Sequence, residues 1–329
     1  MSRFNFAIPG VLFQRPLRGR VMTVYTRDPG PAFTVVKLGA RRLVRAAFTQ
    51  GANAIAILSG FPEPAAHDVA EGIWGYCALE LGTVPEADEP LFYRLPRLPR
   101  SGWTNAQLLE DLKLGLPDAN EAAVRRMKSG VVLGDFEQHY LRETLPKIVG
   151  DQHLRESLNY FVESARNCQT FMSISFYQFH YRRERSLMSA AQLRRDYRQN
   201  RARYEAAFTV GFKALERLLR RVQIRKPDIP AALGELNVSG LEPGATYTRL
   251  FEPFQGHATQ ISCRDLIVRF LDIRNAAGAH ANSNPPVELR VSLDTVFELQ
   301  HFLRWIYRLY LQPVMPFEPP MYDRTRRDR

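Results

Sequence analysis

Cysteine is scarce in this chain of 329 residues: Cys77, Cys168 and Cys263 are the full set. An odd number at such wide spacing argues against a disulfide framework and against zinc, and for reduced thiols. No window approaches the about eighteen consecutive apolar residues of a membrane span, and residues 1–15 lack the unbroken apolar core of a secretory signal. The expected setting is soluble and cytoplasmic, with no membrane partner. Glycine fingerprints are also missing. Gly10, Gly19, Gly30 and Gly39 form no phosphate-binding loop, and Ser59-Gly60 has Ile57, not Gly, at the position a nucleophile elbow requires. Cys168 and His180, twelve residues apart on one expected helix, would stand about 18 Å from each other. His67-Asp68 and His139 show no partner at metal-ligand spacing. No metal site and no cofactor are expected.

What the chain does have is globular composition and concentrated positive charge. Hydrophobic residues make up 45% and charged residues 24%, enough to build a core and too apolar for a disordered class. The formal charge is +11. Between Tyr181 and Lys226 twelve Arg and two Lys face only Glu184, Asp196, Glu205 and Glu216, an excess of +10. A solvated helix face explains such a run, and so does a track for phosphate backbone, since Arg and Lys displace counterions from nucleic acid. Arg194, Arg195, Arg198, Arg201, Arg217, Arg220 and Arg221 are the candidates for RNA contact.

The expected organisation is multidomain. Residues 1–100 read as a small α+β unit, with strands at 21–26, 33–38 and 54–58 rich in β-branched and aromatic residues, and a helix over 67–81. Residues 91–100 carry prolines too often for a helix or central strand and read as an extended connector. Residues 101–150 read as a helical connector, with helices at 105–114, 118–128 and 136–145. Residues 151–329 read as an all-α bundle ending in a basic tail, with helices at 153–180, 204–222, 230–236 and 293–311. In the helix over 204–222, Tyr204, Phe208, Phe212, Leu215, Leu219 and Val222 keep the helical period and form its core face.

One further helix carries the chemistry. From Cys263, apolar Leu266, Phe270, Ile273 and Ala277 recur at helical spacing. Coherence should weaken at Gly278, and the helix must stop before Asn284-Pro285-Pro286. Arg274, Asn275 and His280 gather around that end. RNA is cut without metal when its 2′-hydroxyl attacks the adjacent phosphate, which needs a proton acceptor, a proton donor and positive charge on the developing phosphorane. Histidine serves the proton transfers near neutral pH, and the arginine fork serves the charge. Asn275 can hold the imidazole or a phosphate oxygen. On a straight helix Arg274 and His280 would lie about 240° apart, so either the turn unwinds at Gly278 or the site is shared between two chains. A second Arg-Asn pair, Arg166-Asn167, has no His at that distance and reads as structural.

Arg274, Asn275 and the His280 that follows five residues after the Arg, on the third of four helices, resemble the motif of the HEPN domain. The segment from Tyr204 to Glu216 and the run Phe270-Leu271-Asp272-Ile273-Arg274-Asn275 resemble helices of the abortive-infection type of HEPN protein. The resemblance covers about 150–315. It implies an all-helical HEPN-like bundle acting as a metal-independent endoribonuclease, with Arg274, Asn275 and His280 catalytic. It also implies a homodimer that brings two motifs to one cleft, a role as a toxin or in antiphage defence, and products ending in a 2′,3′-cyclic phosphate and a 5′-hydroxyl. Glu216 is the candidate for orienting Arg274, against a plain exposed pairing with Arg220. The N-terminal unit would sense, recruit or restrain through a regulatory protein or effector ligand. Some HEPN domains only bind nucleotide or nucleic acid or act as scaffolds, and that is the alternative.

Overall fold

The computed structural model describes residues 4–9, 11–13, 32–38, 41–47, 54–61, 63–81, 93–95, 131–133, 144–168, 189–249, 260–279 and 289–311. The chain divides into two compact units, 1–77 with 85–151, and 78–84 with 152–329. The expected strand at 21–26, the helices at 105–114 and 118–128, residues 169–180 of the helix expected over 153–180, and the basic tail lie outside the described residues. Among the described residues no helix is long and apolar enough to cross a membrane.

The first unit holds a five-stranded sheet of β1 (Phe4–Pro9), β3 (Ala32–Leu38), β4 (Arg41–Ala47), β5 (Ala54–Phe61) and β6 (Tyr93–Leu95), in the order β3-β4-β5-β1-β6. All neighbours run antiparallel, with Val35 opposite Val44, Val44 opposite Ile57 and Ile8 opposite Ala56. The expected strands at 33–38 and 54–58 are present. The proline-rich stretch 91–100 contributes β6, Tyr93–Leu95, at the sheet edge, the place in a sheet that tolerates nearby prolines. A short parallel pair joins β2 (Val11–Phe13) to β7 (Val131–Leu133). Helix α1 (Glu63–Tyr76) starts four residues before the expected His67, because Pro64 falls in the first turn, where a missing N–H costs nothing. It continues into a π-helical turn, Cys77–Leu81.

Among its described residues the second unit is mostly helical, with one two-stranded sheet. Its elements are α2 (Gln152–Asn167), α3 (Ala190–Leu218), a 3₁₀ turn at Lys226–Asp228, α4 (Ile229–Leu236), β8 (Thr246–Thr248), β9 (Gln260–Ser262), α5 (Cys263–Ala279) and α6 (Leu293–Leu311). Helix α6 has the expected bounds, and Val296, Leu299, Phe302, Leu303, Ile306 and Tyr307 are buried along one stripe. Two serines seven residues apart set the close approach of α2 and α3: Ser157 donates to the Ala214 carbonyl and Ser164 to the Ala207 carbonyl at 2.7 Å. The rising numbers on one helix meet falling numbers on the other, so the pair is antiparallel. Helix α6 joins the same seam, with the Tyr307 hydroxyl 2.7 Å from Ser157 Oγ and Gln300 Nε2 donating to Ser164 Oγ at 2.9 Å. Each buried hydroxyl thus has a partner, as burial demands.

Gly211 sits in this seam. A Cβ there would fall 2.9 Å from Ser164 Oγ and 3.2 Å from Leu299 Cδ2. Gly211→Val is therefore expected to destabilise the unit by about 1–3 kcal/mol through overpacking, measured as a lower urea midpoint; an unchanged midpoint would show that the seam has slack.

Phe270 ties α5 into the bundle, packing edge-on against Phe208 of α3 at 6.0 Å and tilted against Phe302 of α6 at 5.9 Å. Beside Phe302, which Tyr247 meets edge-on at 5.1 Å, strand period meets helix period. Tyr247 and Arg249, two residues apart, face Glu298 and His301, three apart. Arg249 donates twice to Glu298, at 2.7 and 2.9 Å, and the Tyr247 hydroxyl lies 2.6 Å from His301 Nδ1. All three cysteines are free and buried. Burial pushes the Cys77 thiol up to about 12 and that of Cys263 to about 11.

Candidate functional site

Helix α5 begins where Ser262 Oγ accepts the Asp265 N–H at 3.0 Å and donates to the Asp265 carboxylate at 2.7 Å, a serine cap closed by an acid three residues on. Leu266, Ile267, Phe270, Leu271, Ile273 and Ala276 then fill the core face. The helix passes Gly278 and is helical to Ala279, one residue beyond the expected weakening. His280 lies outside the described residues. Arg274 stands at the flank of the buried stripe with 23% of its side chain exposed, and Asn275, the next residue around the helix, is exposed.

The seat for Arg274 is built by α3. Phe212 and Glu216, four apart, share one face of that helix. The guanidinium carbon of Arg274 lies 5.1 Å from the centre of the Phe212 ring, and Nη2 donates to Glu216 Oε1 at 3.2 Å. Glu216 is 6% exposed, so the exposed pairing with Arg220 does not describe it. The same Oε1 accepts the Ile224 N–H at 3.1 Å. Ile224 returns to this spot because α3 ends in a Schellman turn: Arg221 N–H reaches the Glu216 carbonyl, Arg220 N–H reaches the Arg217 carbonyl, and Arg220 is left-handed at φ 56. The helix therefore stops at Leu218, four residues short of the expected end, and Val222, expected on the core face, is 82% exposed. Burial raises the Glu216 carboxyl above its ordinary range, while the Ile224 N–H, Arg274, Lys213 and Arg217 pull it back down.

Of the five N–H donors an arginine carries, the described residues engage one on Arg274. Its Nε is buried and has no hydrogen-bond partner among them. The arrangement fixes a cation between an aromatic face and a carboxylate, and among the described residues most of its donors meet no partner. That suits an oxyanion with several acceptor oxygens.

The seven arginines expected to contact RNA separate into two groups. Arg195 and Arg198 lie exposed near the start of α3, while the backbone of Arg194 is helical there and its side chain is not among those described. Arg201 pairs with Glu205 at 2.7 Å, Arg217 with Glu156 at 3.5 Å, and Arg221 with Glu235 through two bonds at 2.7 and 2.9 Å. Arg220 is the exposed left-handed residue of the turn. The second pair, Arg166-Asn167, is locally engaged, both residues donating to Glu163, as a structural role implies.

Sequence reasoning missed several groups. Phe212 reads as core, and it is also the platform under Arg274. The Arg249–Glu298 and Tyr247–His301 contacts join residues about fifty positions apart, and the i, i+2 and i, i+3 spacings were the available hint. Glu71, one turn after His67, was also overlooked: with Asp68 these residues bring three donor atoms within 4.8 Å of one another, the His67 Nδ1 to Glu71 Oε2 distance being 3.5 Å. His67 and Asp68 thus do have a neighbour at ligand spacing. In comparisons with known proteins, no family model, no curated protein and no solved structure matches the chain.

Proposed function

We propose that the chain is a metal-independent endoribonuclease of HEPN type, with its cutting site on α5. The observation that carries this reading is the held guanidinium of Arg274, seated on Phe212 and Glu216 with donors that meet no described partner. The step is transesterification. The 2′-hydroxyl gives its proton to an imidazole, its oxygen bonds to phosphorus, and the bond to the 5′-oxygen breaks as that oxygen takes a proton. His280 supplies the imidazole, Arg274 neutralises the extra charge on the phosphorane, and Asn275 steadies a phosphate oxygen or the ring. Glu216 acts as a positioning residue through Arg274. A homodimer supplies the second imidazole, so one ring accepts the proton and the other donates it. A toxin or antiphage role, with the N-terminal unit answering to a regulatory protein or effector ligand, completes the proposal.

The same ion pair supports a second reading, a noncatalytic RNA- or nucleotide-binding module, because a half-buried Arg274 tied to a buried carboxylate also joins α3 to α5. The test is cleavage of transfer and messenger RNA in EDTA by wild type, Arg274→Ala and His280→Ala, with melting curves for all three. Loss of at least about a hundredfold in rate in both variants, the size seen when a charge-stabilising donor is removed, with cyclic phosphate ends from wild type, is expected. Folded variants that cut as fast as wild type, or a wild type that binds RNA and yields no product, would retire the nuclease.

A further inference from the structure

We infer that the segment 190–202 of α3 is a basic arm that grips a polynucleotide strand at a distance from Arg274, so that the substrate is an extended RNA and not a free nucleotide or dinucleotide. This rests on the ribonuclease reading for the word substrate, but the arm itself stands on separate observations. The Arg203 Nε donates to the carbonyl of Asn167, the last residue of α2, at 2.6 Å. From Arg203 back to Ala190, α3 therefore runs beyond the end of α2, for about 20 Å at the helical rise. The described side chains between Ser189 and Gln199 are all exposed.

The start of this arm is fixed by its own chemistry. Ser189 Oγ accepts the Gln192 N–H and Gln192 Oε1 accepts the Ser189 N–H at 2.7 Å, a closed capping box. Arg195 and Arg198, three apart and so neighbours on the helix surface, make no ion pair or hydrogen bond with any described residue. Arginines nearer the other end of α3 are spoken for, Arg217 by Glu156 and Arg221 by Glu235. Among the described residues, Arg195 and Arg198 of the arm thus carry charge that no described partner offsets.

The basic residues of the arm are all arginine, without a lysine. A planar fork suits the paired oxygens of phosphate, whereas attraction to an acidic protein surface would be served by either side chain. Distance then sets the length of the ligand. Arg198 and Glu216 lie on one continuous helix, eighteen residues apart, or about 27 Å. Glu216 holds Arg274. A strand that touches both the arm and Arg274 spans about eight stacked nucleotides at about 3.4 Å each.

The experiment is fluorescence anisotropy on the full chain with 5′-labelled uridine oligomers of about four and about sixteen nucleotides, the range of ordinary single-strand site sizes, at stepped salt. Arg195→Ala/Arg198→Ala should weaken binding of the long oligomer roughly 20-fold near 0.1 M salt and reduce the slope of log affinity on log salt by about 1.4, at about 0.7 for each phosphate no longer neutralised. The short oligomer should be unaffected, and the double Lys variant should keep most of the affinity. Equal affinity and slope for wild type and the Ala variant would overturn the arm. So would poly-glutamate displacing the long oligomer from these two arginines more effectively than unlabelled RNA, which would assign the surface to a protein. Arm-dependent binding by a wild type that never cuts upholds the arm and removes the nuclease. Cleavage that ignores both oligomer length and the arm variant removes the arm and leaves the nuclease.

Discussion

Replacing Glu298 with alanine is expected to cost about 3–5 kcal/mol, because it leaves a buried guanidinium without its anion. Arg249 and Glu298 have side chains only 1% and 4% exposed, and two hydrogen bonds hold them together. Nor is Arg249 the one cation that Glu298 serves. Arg269 has its affinity for a proton lowered by burial and by the repulsion of Arg249, and Glu298 opposes that shift. Without the carboxylate, the buried Arg249 and the half-buried Arg269 would be left to repel each other. The double variant Arg249→Met/Glu298→Leu removes both charges together and is expected to recover most of the loss, since buried pairs replaced by packed apolar side chains are often neutral or better. Urea unfolding followed by helical circular dichroism reads both effects. A single Glu298→Ala chain with the wild-type midpoint would show that water reaches Arg249 and that the pair is not dry.

Stability should also fall on mild acidification, through His301. Its pKa is pushed down to about 3, by burial first and then by Arg304 and Arg308 on the same helix. In the unfolded chain it returns to about 6.5. Between those values the unfolded chain binds a proton that the folded chain refuses, so the His301 contribution is present in full above about pH 6.5 and is lost as pH falls toward 3. The slope is at most about 1.4 kcal/mol per pH unit. Glu216 works in the opposite direction: its raised folded pKa makes the folded chain the better proton binder as pH drops through that value. A comparison of wild type with Tyr247→Phe/His301→Phe isolates the histidine, because the double change leaves no orphaned hydroxyl. The variant should show a visibly flatter loss of stability between pH 6.5 and pH 4.5, by about 2–3 kcal/mol over that interval at the limiting slope. Parallel curves for the two proteins would mean that His301 is hydrated in the fold.

Local pattern was legible wherever one face is buried along a regular element. The apolar stripe of α6 gives its bounds, and the β-branched runs give β3 and β5. The strand β1 escaped because Asn5, Ala7 and Pro9 are poor strand formers; its place between β5 and β6 comes from pairing on both sides, a tertiary cause. β4 escaped because Arg41, Arg42 and Arg45 break up its apolar residues. The first part of α3 has no apolar period to announce it, although the Ser189-x-x-Gln192 signal was present. Its other end misled, because a Schellman turn is expected at glycine and Arg220 occupies that position. Of the candidate site, Arg274 and the Glu216 that it meets were visible as residue types at the end of a patterned helix and on the facing one. The roles of Phe212 and the Ile224 N–H were not, since a core aromatic and a backbone donor leave no mark at the level of composition.

The three buried thiols have a use beyond packing. A thiol reagent attacks thiolate that it can reach, and Cys77, Cys168 and Cys263 are shielded and, with pKa values raised chiefly by burial, held protonated. Each becomes reactive when its own neighbourhood opens. Cys77 lies at the junction of α1 with its π-helical turn, Cys168 just after α2, and Cys263 at the first turn of α5. Labelling rates at the three positions therefore form a set of native clocks, one at each place, that record local opening without any engineered probe.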